Sequence, residues 1–239
     1  MSEDAPGDNT PWHALGTDEA LAQLDSTLNG LPDEESATRL ARHGPNQIST
    51  TRSRSWWRRL LDQFNNILII ILIVAALASL GLGHHVDAGA ILGVVLIVAL
   101  IGFFQEGKAE QALDSIRTML SPRANVIRDG ARGIIPAENL VPGDIVMVES
   151  GDRVPADLRL IEATRFRTQE AALTGESTPV DKTSGAAPRE AVLAERDSMA
   201  YASTIVVQGT AVGLVVETGK DTEIGRISEM LRGVEQLRT

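Results

Sequence analysis

The chain has 239 residues, with 22 Lys and Arg against 32 Asp and Glu, a formal charge of −10, and no cysteine. The missing thiols exclude a disulfide framework, thiol catalysis and cysteine zinc sites. The acidic balance, with aromatic residues at only 3%, argues against a nucleic-acid-binding surface.

Residues 1–35 carry acids and no Lys or Arg, so the start of the chain shows no secretory signal. Met1 to Pro11 reads as an acidic tail. A first short helix is predicted with Thr17 as its cap and Leu21, Leu24 and Leu28 on one face, stopped by Asn29-Gly30. A second follows Leu31-Pro32, with Asp33, Glu34 and Glu35 in its first turn, and ends at His43-Gly44-Pro45-Asn46. Residues 1–50 are therefore expected to form a small surface helical segment on the cytoplasmic side.

Residues 51–104 change character. Arg52, Arg54, Arg58 and Arg59 surround Trp56 and Trp57, and this run directly precedes apolar sequence. Basic residues interleaved with Trp suit nucleic acid, but in front of an apolar span they form an interface anchor on the cytoplasmic side. From Phe64 to Phe104 the only charged side chain is Asp87. Two spans are predicted, Phe64 to Leu82 and Ala88 to Phe104, each roughly 26–28 Å long and just enough for a bilayer. Gly83-His84-His85-Val86-Asp87 would join them in a tight antiparallel hairpin. Lys108 and Arg117 follow the second span, which puts both ends of the hairpin in the cytoplasm and the His-His turn outside. The other reading, a buried hairpin in a large soluble protein, is disfavoured because nothing else in the chain could cover it. Two adjacent His and one carboxylate make a weak metal site, and no metal ligand is assigned.

Helical spacing continues through Ala109, Ala112, Leu113, Ile116 and Leu120 until Ser121-Pro122, so residues 105–122 are expected to form a stalk. From Asp87 to Met119 that helix would be roughly 50 Å long.

Residues 123–239 read as a β-rich domain. Ala124 to Arg128 and Arg132 to Ile135 flank the hairpin signal Asp129-Gly130. Asp144 to Val148 and Asp157 to Ile161 are short apolar strands. Ser203 to Val207 and Ala211 to Val216 are predicted to pair around Gln208-Gly209-Thr210, and a last helix covers Glu223 to Leu237.

Leu173-Thr174-Gly175-Glu176-Ser177-Thr178-Pro179 lies in a loop between strand-like stretches. A glycine beside the carboxylate lets the backbone approach another body closely. Hydroxyls flank the carboxylate, and Pro179 stiffens the exit. A Glu held this way suits positioning a water and accepting its proton. Taken alone, the same residues also describe a solvated turn.

With its neighbours this loop resembles the P-type cation-transporting ATPases, nearest their calcium-pump-like branch. The TGES loop, Val141-Pro142-Gly143-Asp144-Ile145-Val146, Gly151-Asp152-Arg153-Val154-Pro155-Ala156-Asp157, and Thr218-Gly219-Lys220-Asp221-Thr222-Glu223-Ile224-Gly225 resemble that family's actuator domain. Trp12-His13-Ala14-Leu15 and Gly44-Pro45-Asn46 resemble its amino-terminal cytoplasmic segment. The resemblance implies a membrane protein of α+β class: a two-helix transmembrane hairpin, a distorted jelly-roll actuator domain and a small amino-terminal helical segment, multi-pass in the cell membrane with both termini cytoplasmic. It implies that Glu176 orients the water that hydrolyses an aspartyl phosphate, while Thr174, Gly175 and Ser177 shape the loop and approach the phosphate. That is positioning plus electrostatics, most of what phosphoryl transfer asks of a protein. It implies ATP and Mg2+ for the complete pump, with none bound by this chain alone. Its partners would be the bilayer, the phosphorylation and nucleotide-binding domains of the same pump, and a transported cation, first calcium, with sodium or another cation open.

Two departures stand out. Where relatives carry Asp-Glu-Ser or Asp-Glu-Ala before the loop, this chain has Gln169-Glu170-Ala171. The family's phosphorylated Asp sits in a DKTGT motif that is absent, and Asp181-Lys182-Thr183-Ser184-Gly185 imitates only its beginning. A fragment is therefore expected, one that alone neither hydrolyses ATP nor forms a phosphoenzyme. The other reading is a stand-alone membrane-anchored regulatory module without catalysis.

Overall fold

The computed structural model describes residues 10–48, 66–119 and 122–236. The acidic tail up to Asn9, the Arg/Trp run, Phe64, the Leu120-Ser121 step and Leu237 lie outside the described residues. The described residues fall into two compact units, one drawn from 10–48 and 122–236, the other from 66–119.

In the first unit, helix α1 spans Thr17–Gln23 and α2 spans Asp33–His43. The Glu19 carboxylate accepts the Gly16 N–H at 3.0 Å, so Gly16 rather than Thr17 is the cap. Leu21 and Leu24 are buried, but α1 ends before Leu28, which is 58% exposed and shares no buried face with them. Helix α2 follows its signals: three acids in the first turn, Arg42 and His43 in the last, and Gly44 at φ 77 as the stop.

Seven strands follow: β1 Arg123–Arg128, β2 Ala131–Pro136, β3 Ile145–Glu149, β4 Asp157–Gln169, β5 Val180–Asp181, β6 Met199–Ala200 and β7 Ile205–Glu217. They form an antiparallel sheet in the order β2-β1-β3-β7-β4-β5, with β6 also on β4. The Asp129-Gly130 hairpin is where the sequence put it. The predicted hairpin at Gln208-Gly209-Thr210 is not: β7 runs unbroken through it and pairs with β4 along most of its length. Gly209 has φ +81, and an added Cβ would lie 2.3 Å from the Thr164 and Arg165 carbonyl oxygens. Opposite it, β4 shifts register between Thr164 and Arg167. The glycine marks a bulge at which both long strands bend, not a reversal.

Side chains alternate between two cores. Val146, Val148, Leu158, Leu160, Phe166, Val206 and Val215 fill one. Ile145, Leu214 and Val216 enter the other, where Trp12, Leu21 and Leu24 of the amino-terminal segment complete it with Met199 and Tyr201. That segment therefore closes a core instead of lying on the surface. Asn46 ties it down, donating to the Ala137 and Pro155 carbonyls at 2.9 Å each and accepting the Gly219 N–H at 2.8 Å. A single helical turn, α5, Ala171–Thr174, follows β4, and helix α6, Glu223–Gln236, ends the described unit.

In the second unit, α3 spans Ile67–Gly81 and α4 spans His85–Met119. Ile69 packs with Val95 and Ala99 across the pair. The turn is shorter than predicted: His85 to Asp87 already form the first turn of α4, leaving Leu82-Gly83-His84 with Gly83 at φ +81. One described helix, over His85–Lys108, is long and apolar enough to cross a membrane, and Ile67–Gly81 is a shorter apolar helix.

Candidate functional site

Strand β4 ends at Gln169, and β5 returns to it with Val180 opposite Thr168 and Asp181 opposite Arg167. The excursion between them carries the Thr174-Gly175-Glu176-Ser177 loop. It begins with one helical turn, α5, Ala171–Thr174. The Glu170 carbonyl accepts the Leu173 and Thr174 N–H groups at 2.9 and 3.0 Å and the Thr174 hydroxyl at 3.2 Å. Gly175 then takes the left-handed conformation, φ 77, with open space where a side chain would stand. Backbone geometry, not crowding, calls for glycine here. The Glu176 N–H donates to the Thr174 hydroxyl at 3.3 Å. Gly175, Glu176, Ser177 and Thr178 are exposed, and the Glu176 carboxylate meets no partner among the described residues. Of the four predicted site residues, Gly175, Glu176 and Ser177 thus occupy an exposed apex, with Thr174 half-buried at its base.

The base of the loop is the opposite. Glu170 and Lys182, just before and just after the excursion, are both fully buried, and Lys182 Nζ lies 2.7 Å from Glu170 Oε1. The contact is a charge pair and not an aligned hydrogen bond, and Glu170 Oε2 has no hydrogen-bond partner among the described residues. The Thr168 hydroxyl donates to Glu170 Oε1 at 2.9 Å, and the Lys182 ammonium stands 5.5 Å from the centre of the Tyr201 ring. Leu173 packs against the core shared with Trp12 and Leu24.

A charged cavity of about 280 Å³ opens beside this core, lined by His13, Asp157, Arg196, Tyr201, Glu223 and Arg226 among others. Its ion pairs are internal: Arg196 with Glu223 at 3.2 Å and Arg226 with Glu217 at 2.8 Å. Asp157 accepts the Ala202 and Glu223 N–H groups at 2.7 and 2.8 Å. Burial nevertheless outweighs those bonds and pushes its carboxyl up to about 7. Burial pushes His13 down. Among the described residues, no three His, Asp or Glu side chains gather as metal ligands. His84 and Asp87 form an exposed pair at 3.5 Å.

A profile of the P-type ATPase actuator domain matches residues 118–232, and one of the cation transporter/ATPase amino terminus matches residues 12–79. The chain belongs to the P-type cation-transporting ATPases. Within this family it is 44% identical over 231 residues to the "Probable cation-transporting ATPase F" of Mycobacterium tuberculosis, covering 96% of this chain and 26% of that protein. It is 42% identical over 226 residues to "Calcium-transporting ATPase 1" of Bacillus cereus (92% of this chain, 26% of that protein). It is also 42% identical over 212 residues to a "Sodium/potassium exporting P-type ATPase" of Schizosaccharomyces pombe (87% and 20%). The chain spans about a quarter of the length of these relatives.

For a P-type ATPase actuator, sequence reasoning located the loop and missed its support. Lys182 belongs to the imitation of the phosphorylation motif, yet the structure uses it beneath the loop, while Asp181 pairs with Arg167 at 3.0 Å. The motif glycines and acids build loops: Asp144 is buried against Arg128 at 2.7 Å and accepts the Val141 N–H at 2.9 Å. The available signal for Lys182 was the acid-base pair flanking the loop, Glu170 and Lys182.

Proposed function

We propose that this chain is the actuator and first-helix portion of an ATP-driven cation pump, and that its TGES loop promotes hydrolysis of an aspartyl phosphate held on another domain. The observation that carries this reading is an exposed Glu176, free of partners among the described residues, on a loop whose base is buried and ion-paired. A general base must be free to meet its substrate and held well enough to meet it in one geometry.

In this reading Glu176 orients a water in line with the phosphorus and takes its proton. The water oxygen bonds to phosphorus as the bond to the aspartyl oxygen breaks, releasing phosphate and a free aspartate carboxylate. Thr174, Gly175 and Ser177 shape the loop and approach the phosphate. ATP and Mg2+ act in the complete pump, where ATP supplies the phosphoryl group. No step here is assigned to either on residues of this chain.

The exposed apolar side chains of α3 and α4, such as Leu77, Leu96 and Ile97, support a membrane hairpin, and the basic residues that flank it in sequence support a cytoplasmic loop domain. The bent β4–β7 pair fits a distorted jelly roll. Names of relatives point to calcium, to sodium and potassium, or to a cation unspecified. We favour calcium as the transported cation. The test is Glu176→Gln in the complete pump, which should still be phosphorylated by ATP and should lose the phosphate slowly. Loss of phosphorylation itself would count against the assignment.

A further inference from the structure

We infer that the buried Glu170–Lys182 pair is a positioning device for Glu176, a reading that rests on the hydrolytic role proposed for the loop. Glu170 fixes the entry to the loop twice. Its carbonyl gathers the Leu173 and Thr174 N–H groups and the Thr174 hydroxyl, and its carboxylate is anchored by Thr168 and Lys182. Lys182 fixes the exit, its N–H donating to the Phe166 carbonyl at 2.9 Å and its ammonium crossing under the loop to Glu170. Thr174, held by Glu170, in turn takes the Glu176 N–H. A continuous chain of contacts therefore runs from the ammonium of Lys182 to the backbone of Glu176.

Stability alone does not explain the pair. A buried ion pair commonly contributes no more than apolar residues of the same volume, because both charges must leave water. This one also leaves Glu170 Oε2 without a hydrogen bond among the described residues. Outside the pair, the loop is closed by weaker means: a two-residue strand, an Arg167–Asp181 pair whose aspartate is 81% exposed, and a 3.5 Å contact from Gln169 to the Ser177 carbonyl. An electrostatic tie between the two ends, with the Thr168 hydroxyl bonded to the same carboxylate, is what an apolar pair could not supply.

Neither residue touches the phosphate in this account. Both act through Glu176, which sets the test. In the complete pump, Glu170→Gln with Lys182→Met removes both charges together, keeps side-chain length, and retains an acceptor for Thr168. Phosphorylation by ATP should persist, while phosphoenzyme decay slows roughly 10- to 100-fold, the scale of a misplaced catalytic group. In a Glu176→Gln background the same two substitutions should slow decay further by less than about two-fold, since groups acting as one unit are not additive. Decay at the wild-type rate in the double variant overturns the inference. So does equal slowing in both backgrounds, the mark of general damage. If the double variant forms no phosphoenzyme, Glu170→Gln alone is judged by the same two criteria. Wild-type decay in Glu176→Gln by itself overturns the hydrolytic reading first, and this one with it.

Discussion

Lys182 Nζ and Glu170 Oε1 lie 2.7 Å apart with both side chains fully buried, Glu170 directly after β4, where the TGES loop leaves the sheet, and Lys182 directly after β5, where it has returned. An exposed loop apex thus stands on a dry, charged foundation. Low dielectric strengthens the attraction across the pair and raises the penalty for breaking it.

Removing only one partner should therefore be worse than removing both. Lys182→Met leaves a buried carboxylate without its counter-charge, which typically costs about 3–5 kcal/mol. The double variant with Glu170→Gln leaves no unpaired charge and should recover most of that loss. Thermal unfolding of the detergent-solubilised chain measures both. Equal destabilisation by the single and double variants would show that the two side chains do not act as a pair.

Asp157 gives the fold a defined pH response. Its carboxyl is held up to about 7 by burial, against an ordinary value of 3.8, so the folded chain keeps a proton that the unfolded chain releases. Its contribution is complete below about pH 4 and is lost as pH rises through 7, up to about 4 kcal/mol over that window. Burial pushes Glu217 up as well, giving the same sign, while His13, pushed down, gives the opposite one. The comparison with Asp157→Asn isolates the single group. The stability advantage of wild type over that variant should shrink steadily between pH 5 and pH 8. An advantage that does not change with pH would contradict this account.

The proposed membrane hairpin makes a prediction about topology. A cysteine at His84, in the turn between α3 and α4, should react with an impermeant thiol reagent added to intact cells. A cysteine at Thr178, exposed beside Glu176, should react only after permeabilisation. Labelling at Thr178 in intact cells would reverse the assigned orientation.

Local chemistry made part of this molecule legible in sequence. Asp33 to Glu35 and Gly44 mark the two ends of α2, and Asp129-Gly130 adopts the positive φ values, 49 and 73, that its hairpin requires. The loop was singled out by its resemblance, with its neighbouring motifs, to the actuator family, because a Gly-Glu step between hydroxyls taken alone also describes a solvated turn. Gly209 was misread because the same φ serves a reversal and a bulge, and only the partner strand decides which. Leu28 falls outside the helix whose face the spacing gave it with Leu21 and Leu24, because helical spacing says nothing of where a helix stops. The roles of Trp12 and Lys182 were hidden for a common reason: each is fixed by burial against residues far along the chain or across a loop. Trp12 shares a core with Leu214 and Val216 of β7, and Lys182 pairs with Glu170.

The central claim is that Glu176 takes the proton of the water that attacks the aspartyl phosphate. Gln at this position keeps the size and one acceptor but cannot serve as a base. Losing such a group typically slows a step 10²–10⁴-fold, about 3–5 kcal/mol of barrier. In the complete pump, phosphoenzyme formed from labelled ATP and chased with unlabelled ATP should decay slower by that factor in Glu176→Gln, accumulating while transport falls. Decay at the wild-type rate would contradict the account and leave the loop a surface turn.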